Sequence, residues 1–263
     1  MHSANMHWDY ILILAILALI VPWRSVSRIR DLLAGPELES SERILLYLST
    51  IAFQWTAAAV ILWRCLTHQL SWAALGVGLP HPLRSLAVAA GLSTILVLNQ
   101  VYAIRRVAAL PYESRGIVPK LAEKLLPRTS SEAFAGLLLV VTVAFCEEFI
   151  YRGFVEALFA GVFSGSALAG AVISAAFFSS AHMYQGRKGL ITTFAVGLMF
   201  SAARIWTGSL LPSIIIHFAV DFSVALVALK ALPLRRDPIA LYVLRFSPWS
   251  KYFVRSRVRT GVH

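Results

Sequence analysis

The chain has 263 residues, 58% of them apolar and only 14% charged, with a mean hydropathy of +0.72. An average soluble domain is roughly one quarter charged, so this composition excludes an ordinary soluble enzyme and points to a polytopic membrane protein. The formal charge of +11 lies in the connections between apolar stretches; it forms no patch on a soluble domain, which argues against nucleic acid as a partner.

Apolar stretches predict helices over residues 10–23, 44–63, 86–104, 134–163, 166–183, 189–203 and 209–229, together 137 residues. Several approach the roughly 20 residues that a helix needs to cross hydrocarbon, and the short alternating segments of a membrane barrel are missing. The expected fold is all-α, one membrane domain over residues 1–263. Residues 1–9 contain no Lys or Arg, so the first stretch lacks the basic flank of a cleaved signal and reads as a retained helix. If seven helices alternate from an outside N-terminus, the inside connections hold 20 Lys and Arg and the outside ones 3, as the positive-inside rule requires. The expected location is a multi-pass integral membrane protein, in the inner cell membrane if the source is bacterial.

The two long connections, 24–43 and 105–132, are charged, and the second contains Pro111, Pro119 and Pro127, so both are expected to be irregular or interfacial. No internal repeat is visible, which removes sequence support for an inverted-repeat transporter. The tail over 234–263 mixes Arg235, Arg236, Arg245, Lys251, Arg255, Arg257 and Arg259 with Tyr242, Phe246, Trp249, Tyr252 and Phe253. Such a basic, amphipathic tail suits an anionic membrane surface, with a partner-binding segment as the alternative. Cys65 and Cys146 are too few for a disulfide framework.

Of the 13 acidic residues, only Glu147, Glu148, Glu156 and Asp221 fall inside apolar stretches, joined there by His182 and His217. Ionisable groups cost roughly 2.5–3.5 kcal/mol at a membrane helix centre, so these are functional candidates. They form three clusters. In the first, Glu148, Arg152 and Glu156 are four apart on one helical face, where the guanidinium can pair with either carboxylate. Glu147 is turned about 100° away, has no local counter-charge, and so has the character of a general base. In the second, Phe178 precedes His182, whose imidazole can share a proton with water near neutral pH. In the third, His217 and Asp221 lie one turn apart. They suit either an oxyanion-side pair or, with His182, a metal ligand set leaving a position for water activated by Glu147. There is no H-E-x-x-H zinc-protease motif.

In order, E-E-x-x-x-R (Glu147, Glu148, Arg152), F-x-x-x-H (Phe178, His182) and H-x-x-x-D (His217, Asp221) resemble the CPBP family of type II CAAX prenyl proteases and bacteriocin-processing or self-immunity intramembrane proteins. The resemblance covers about residues 134–229. It implies an eight-helix glutamate-type intramembrane endopeptidase in which Glu147 and His182 activate a water and His217 and Asp221 face the substrate carbonyl. Glu148, Arg152 and Phe178 would support them. Many members carry Asn where this chain has Asp221, so its neutral-donor role requires protonation. This reading needs no cofactor, although a divalent metal such as zinc on His182, His217 and Asp221 is the alternative. The expected partners are the bilayer and a peptide or protein substrate, prenylated in the named family activity. A noncatalytic scaffold or self-immunity protein of the same fold is the next reading, and a transporter using Glu147, Glu148 and Asp221 as a proton relay the third.

One conflict accompanies this reading. His182 lies at the end of its stretch, whereas Glu147 lies thirteen residues inside its own, about 20 Å at helical rise. Straight upright helices would keep them apart. The fourth stretch must break near Gly153, which gives eight helices instead of seven, or the fifth must extend through Tyr184 and Gln185, or the Arg187–Lys188 connection must dip inward.

Overall fold

The computed structural model describes residues 6–111 and 114–231, with side chains to residue 227. The basic tail at 234–263 lies outside the described residues. Those that are described form helices and their connections, with no strand. The large apolar side chains turned outward include Trp8, Leu19, Phe53, Trp63, Leu83, Leu98, Phe134, Leu168, Ile191 and Trp206. Hydrocarbon is the solvent that tolerates such a surface, and it admits helices because their backbone groups are satisfied internally. The chain is an integral membrane protein.

The chain opens with α1 (Trp8–Ala15), a π-helical turn at Ile16–Ile20 and α2 (Val21–Ala34), one unbroken rod of 27 residues. Pro22 is the second residue past the π turn; it lacks an N–H to donate and its ring crowds the preceding carbonyls, a common reason for local widening. The first half of the 24–43 connection is therefore helical, because the amphipathic VSRIRDLL continues the first helix to its end at Gly35. α3 (Ser40–Thr67) starts from a reciprocal capping box of Glu39 and Glu42. Next come α4 (Pro82–Ala108) and the short α5 (Ile117–Leu125), which sits in the second long connection.

Thr129 caps α6 (Ser130–Glu148) by accepting from the Glu132 N–H at 3.3 Å. That helix continues without a break through a π-helical segment (Phe149–Val155) into α7 (Glu156–Val162), 33 residues in all. The expected alternative of a break at Gly153 is thus replaced by a change of winding. A tight turn leads to α8 (Ala167–Ala181), capped by Ser166. A 3-10 turn (Met183–Gln185) then enters α9 (Gly186–Thr207), and α10 (Leu211–Ala231) follows.

Five helical rods are long and apolar enough to cross a membrane: Trp8–Ala34, Ser40–Thr67, Pro82–Ala108, Ser130–Val162 and Met183–Thr207. The apolar helices Ala167–Ala181 and Leu211–Val227 are shorter. The principal core surrounds the π segment, all seven of whose residues are buried, and gathers Tyr10, Leu17, Ile61, Cys65, Leu75, Cys146, Leu158 and Phe178. A smaller cluster of Val88, Phe200, Ala203 and Ile216 joins α4, α9 and α10.

A polar clamp fixes the end of the bundle where α2, α3, α5 and α6 meet. Arg43 and Glu132, each 1% exposed, pair at 3.0 Å, and Arg43 also donates to the carbonyls of Lys124 and Leu38 at 3.0 Å each. Lys124 Nζ in turn donates to the Leu32 carbonyl at 2.7 Å and to the Gly35 carbonyl. These are among the acceptors left open at the C-terminus of α2. α5 is thereby tied across the end of α2.

Candidate active site

The hairpin of α7 and α8 resolves the depth conflict. Counting fifteen residues back from Val162 and fifteen forward from Ala167 reaches Glu147 and His182, so an antiparallel pair brings the two level. The contacts follow this register. Ser174 Oγ donates to the Tyr151 carbonyl at 2.7 Å, and the Tyr151 and Phe178 rings meet edge to face at 5.5 Å. Gly170 lets the helices close: a Cβ there would come within 2.5 Å of the Glu156 carbonyl. Because α8 is so short, the turn after it lies level with Glu147, roughly 25 Å along α6 from Ser130. The helix of the fifth stretch, α8, does not extend through Tyr184 and Gln185; it ends at Ala181, and a 3-10 turn over Met183–Gln185 leads into α9.

The two adjacent glutamates have different surroundings. Glu148 is fully buried, and its Oε1 accepts from Arg152 Nη1 at 2.9 Å and faces His217 Nδ1 at 2.9 Å. Arg152, also fully buried, reaches the Gly197 carbonyl at 3.2 Å with Nη2 and lies over the Phe178 ring, 4.3 Å from its centroid. A guanidinium over an aromatic face gains a cation–π attraction. Gly197 suits this close approach, since a Cβ there would stand 3.2 Å from both Arg152 Nη2 and the Ala175 backbone and press on both. Glu156 does not share Arg152 as helical spacing suggested; it pairs with Arg204 at 3.1 Å. The π winding between them shifts Glu156 off the α-helical stripe.

Glu147, by contrast, is partly exposed and pairs with no cation among the described residues. Gln54 Nε2 on α3 donates to its Oε1 at 3.0 Å, while its Oε2 is buried without a protein partner. His182, at the end of α8, places Nδ1 2.8 Å from the Phe178 carbonyl. That acceptor requires the proton on Nδ1, which leaves Nε2 as the basic nitrogen of the neutral ring. The His182 ring stands 4.7 Å from Phe178 and 6.0 Å from Tyr184. Tyr184 in turn lies within electrostatic range of both Glu147 and Asp221. On α10, His217 is buried with Nε2 3.5 Å from Asp221 Oδ2, and its ring is 5.9 Å from Phe178. Phe178 is thus in ring contact with Arg152, His182 and His217 together.

The alternative metal set of His182, His217 and Asp221 is not gathered as a cluster in this arrangement. Both ring nitrogens of His217 face carboxylates, and among the described residues no three His, Cys, Asp or Glu side chains converge as a ligand set.

Two site residues escaped the sequence reading. Gln54 is an uncharged amide inside an apolar stretch, and a screen of all polar side chains rather than ionisable ones would have raised it. Tyr184 follows the end of its stretch, and only the helix register brings it to the acids. Both also line a cavity of about 1070 Å³ bounded by α2, α3, α5, α6 and α10, with Ile20, Phe53, Leu121, Val140 and Phe222 among its walls.

No curated protein and no solved structure matches the chain. Residues 129–223, which span all three motifs, match the family model described as type II CAAX prenyl endopeptidase Rce1-like. That segment, its motifs gathered around Phe178, is similar to the type II CAAX prenyl endopeptidases, and the match supports a place for the chain among the CAAX-protease-like membrane proteins.

Proposed function

We propose that the protein is an intramembrane endopeptidase that hydrolyses a peptide bond in a membrane-associated, lipid-modified or apolar substrate. The observation that carries the reading is the division between Glu147 and Glu148. Each has a buried Oε2 without a partner among the described residues, but Glu148 Oε1 is held by the Arg152 cation and faces His217, whereas Glu147 pairs with no cation there and has its Oε1 oriented by the neutral amide of Gln54, which leaves it the better proton acceptor. A buried polar atom without a partner needs an explanation, and a general base awaiting a water supplies one.

In the proposed reaction, water held between Glu147 Oε2 and His182 Nε2 gives its proton to Glu147 as its oxygen attacks the scissile carbonyl carbon. The developing oxyanion accepts from the Tyr184 hydroxyl and from His217 Nε2–H, and Asp221 orients the His217 ring. Collapse of the tetrahedral intermediate breaks the C–N bond, and Glu147 returns the proton to the departing amine. The apolar cavity that reaches Gln54 and Tyr184 is the substrate's place, and its composition suits a lipid chain or an apolar segment. We further propose that the two shorter apolar helices complete seven crossings, with the N-terminus outside and the clamp end of the bundle in the cytoplasm. A proton-relay transporter is the weaker reading because Glu148, locked between Arg152 and His217, is poorly suited to passing protons.

The test is cleavage of a membrane-peptide library, including prenylated C-terminal peptides, by the purified protein, with products identified by mass spectrometry. Cleavage at defined bonds, lost in Glu147→Gln and in His182→Ala, is the expected result. Equal cleavage by all three proteins would defeat the proposal.

A further inference from the structure

We propose that the cavity between α2 and α3 is also a binding site for an anionic phospholipid, with the phosphate held by Arg24 and Arg28 and an acyl chain running along the apolar wall toward Gln54. Arg24 and Arg28 are one turn apart on α2, line the cavity together and lie within electrostatic range of each other. Among the described residues neither has a carboxylate partner, and Arg28 makes a single hydrogen bond, to Ser49 Oγ at 3.3 Å. Two neighbouring guanidiniums that repel each other without a counter-ion form an anion site, and their donors match the several oxygens of a phosphate.

The rest of the cavity selects an amphiphile over a free anion. Its walls beside the arginines are Ile16, Ile20, Val21, Ile29, Leu46 and Phe53. From Ile16 to Arg28 the rod rises roughly 18 Å, enough for much of an acyl chain. Although α2 and α3 are consecutive, they hardly pack on each other, and the space between them is the cavity. Trp23, next to Arg24, is exposed, as suits an aromatic at the headgroup level. The positive-inside arrangement places this end of the bundle against the inner leaflet, where anionic headgroups concentrate. A peptide carboxylate is the competing occupant; its two oxygens would use less of the paired site, and it does not account for the length of apolar wall. The lipid would occupy the arginine end of the cavity assigned above to the substrate; because the test reads lipid retention and not cleavage, its failure is distinguishable from failure of the proteolytic reading.

The experiment is native mass spectrometry of the full chain released from nanodiscs of phosphatidylglycerol and phosphatidylcholine with identical acyl chains. Wild type is expected to retain phosphatidylglycerol over phosphatidylcholine by roughly tenfold or more, from about 1 kcal/mol for each arginine. Arg24→Gln/Arg28→Gln should erase the preference, whereas Arg30→Gln, which alters a residue paired with Asp31 and outside the cavity lining, should keep it. Gly136→Leu, which projects into the cavity wall without changing charge, should lower phosphatidylglycerol retention too. Both sets of variants should unfold at the wild-type temperature, because the arginines are exposed and a Cβ at Gly136 meets only Tyr47 at 3.7 Å. An unchanged preference in the double variant would overturn the proposal, as would full retention in Gly136→Leu. Arginine-dependent binding of a peptide with a free C-terminal carboxylate, without any preference for phosphatidylglycerol, would assign the site to a peptide end instead.

Discussion

Two buried arginine–glutamate pairs invite comparison: Arg43–Glu132 at the clamp end and Arg152–Glu148 at the centre. Both are at most 1% exposed and close to 3.0 and 2.9 Å. At the clamp every buried polar atom of Arg43, Glu132 and Lys124 finds a partner in the protein. At the centre Glu147 Oε2, Glu148 Oε2 and Arg152 Nε have none among the described residues. A satisfied network holds elements in place, whereas an under-satisfied one has capacity left for water or substrate. The same residue types thus build a satisfied pair in one place and an under-satisfied one in the other, and the second is the one proposed to react.

The sharpest way to break this comparison is at Glu147. Glu147→Gln keeps the Gln54 contact feasible but removes the proton acceptor, so turnover should fall by about 10²–10⁴-fold while the unfolding temperature stays put, as a paired activity and thermal-melt assay would read. Next comes Arg152→Ala, which strands Glu148 and removes the cation above Phe178. A loss of about 3–5 kcal/mol is expected, visible as poor expression and early unfolding in detergent, and a normal melt would refute the pairing. Tyr184→Phe should leave stability unchanged and reduce kcat by about 10²-fold, the usual effect of losing one oxyanion donor. Unaltered kcat would remove Tyr184 from the chemistry. The smallest effect belongs to Lys124→Met, which frees the last carbonyls of α2. It should cost about 1 kcal/mol and raise hydrogen exchange in residues 117–125 without touching turnover, and equal exchange in variant and wild type would count against the clamp.

The sequence revealed the centre more readily than the clamp for a physical reason. Glu147, Glu148, His182, His217 and Asp221 stand out because ionisable groups are expensive in apolar stretches, and their order carried the family resemblance. Arg43 and Glu132 sit in charged connections, where a buried pair looks like any solvated charge. Gln54 and Tyr184 were hidden because an amide and a phenol cost less in a membrane than a carboxylate does. The way His182 comes level with Glu147 was left open for another reason: the sequence does not show that α8 has only 15 residues against the 33 of the rod it pairs with. The pairing of Glu156 with Arg204 was likewise invisible, since an α-helical wheel cannot anticipate a π segment.

The most direct measurement sets Glu147→Gln beside Glu148→Gln, recording turnover of a cleaved membrane peptide and thermal unfolding for each. The account predicts a folded, inactive Glu147→Gln and a destabilised Glu148→Gln whose loss of activity follows its loss of fold. A Glu147→Gln protein that still cleaves at the wild-type rate would contradict it.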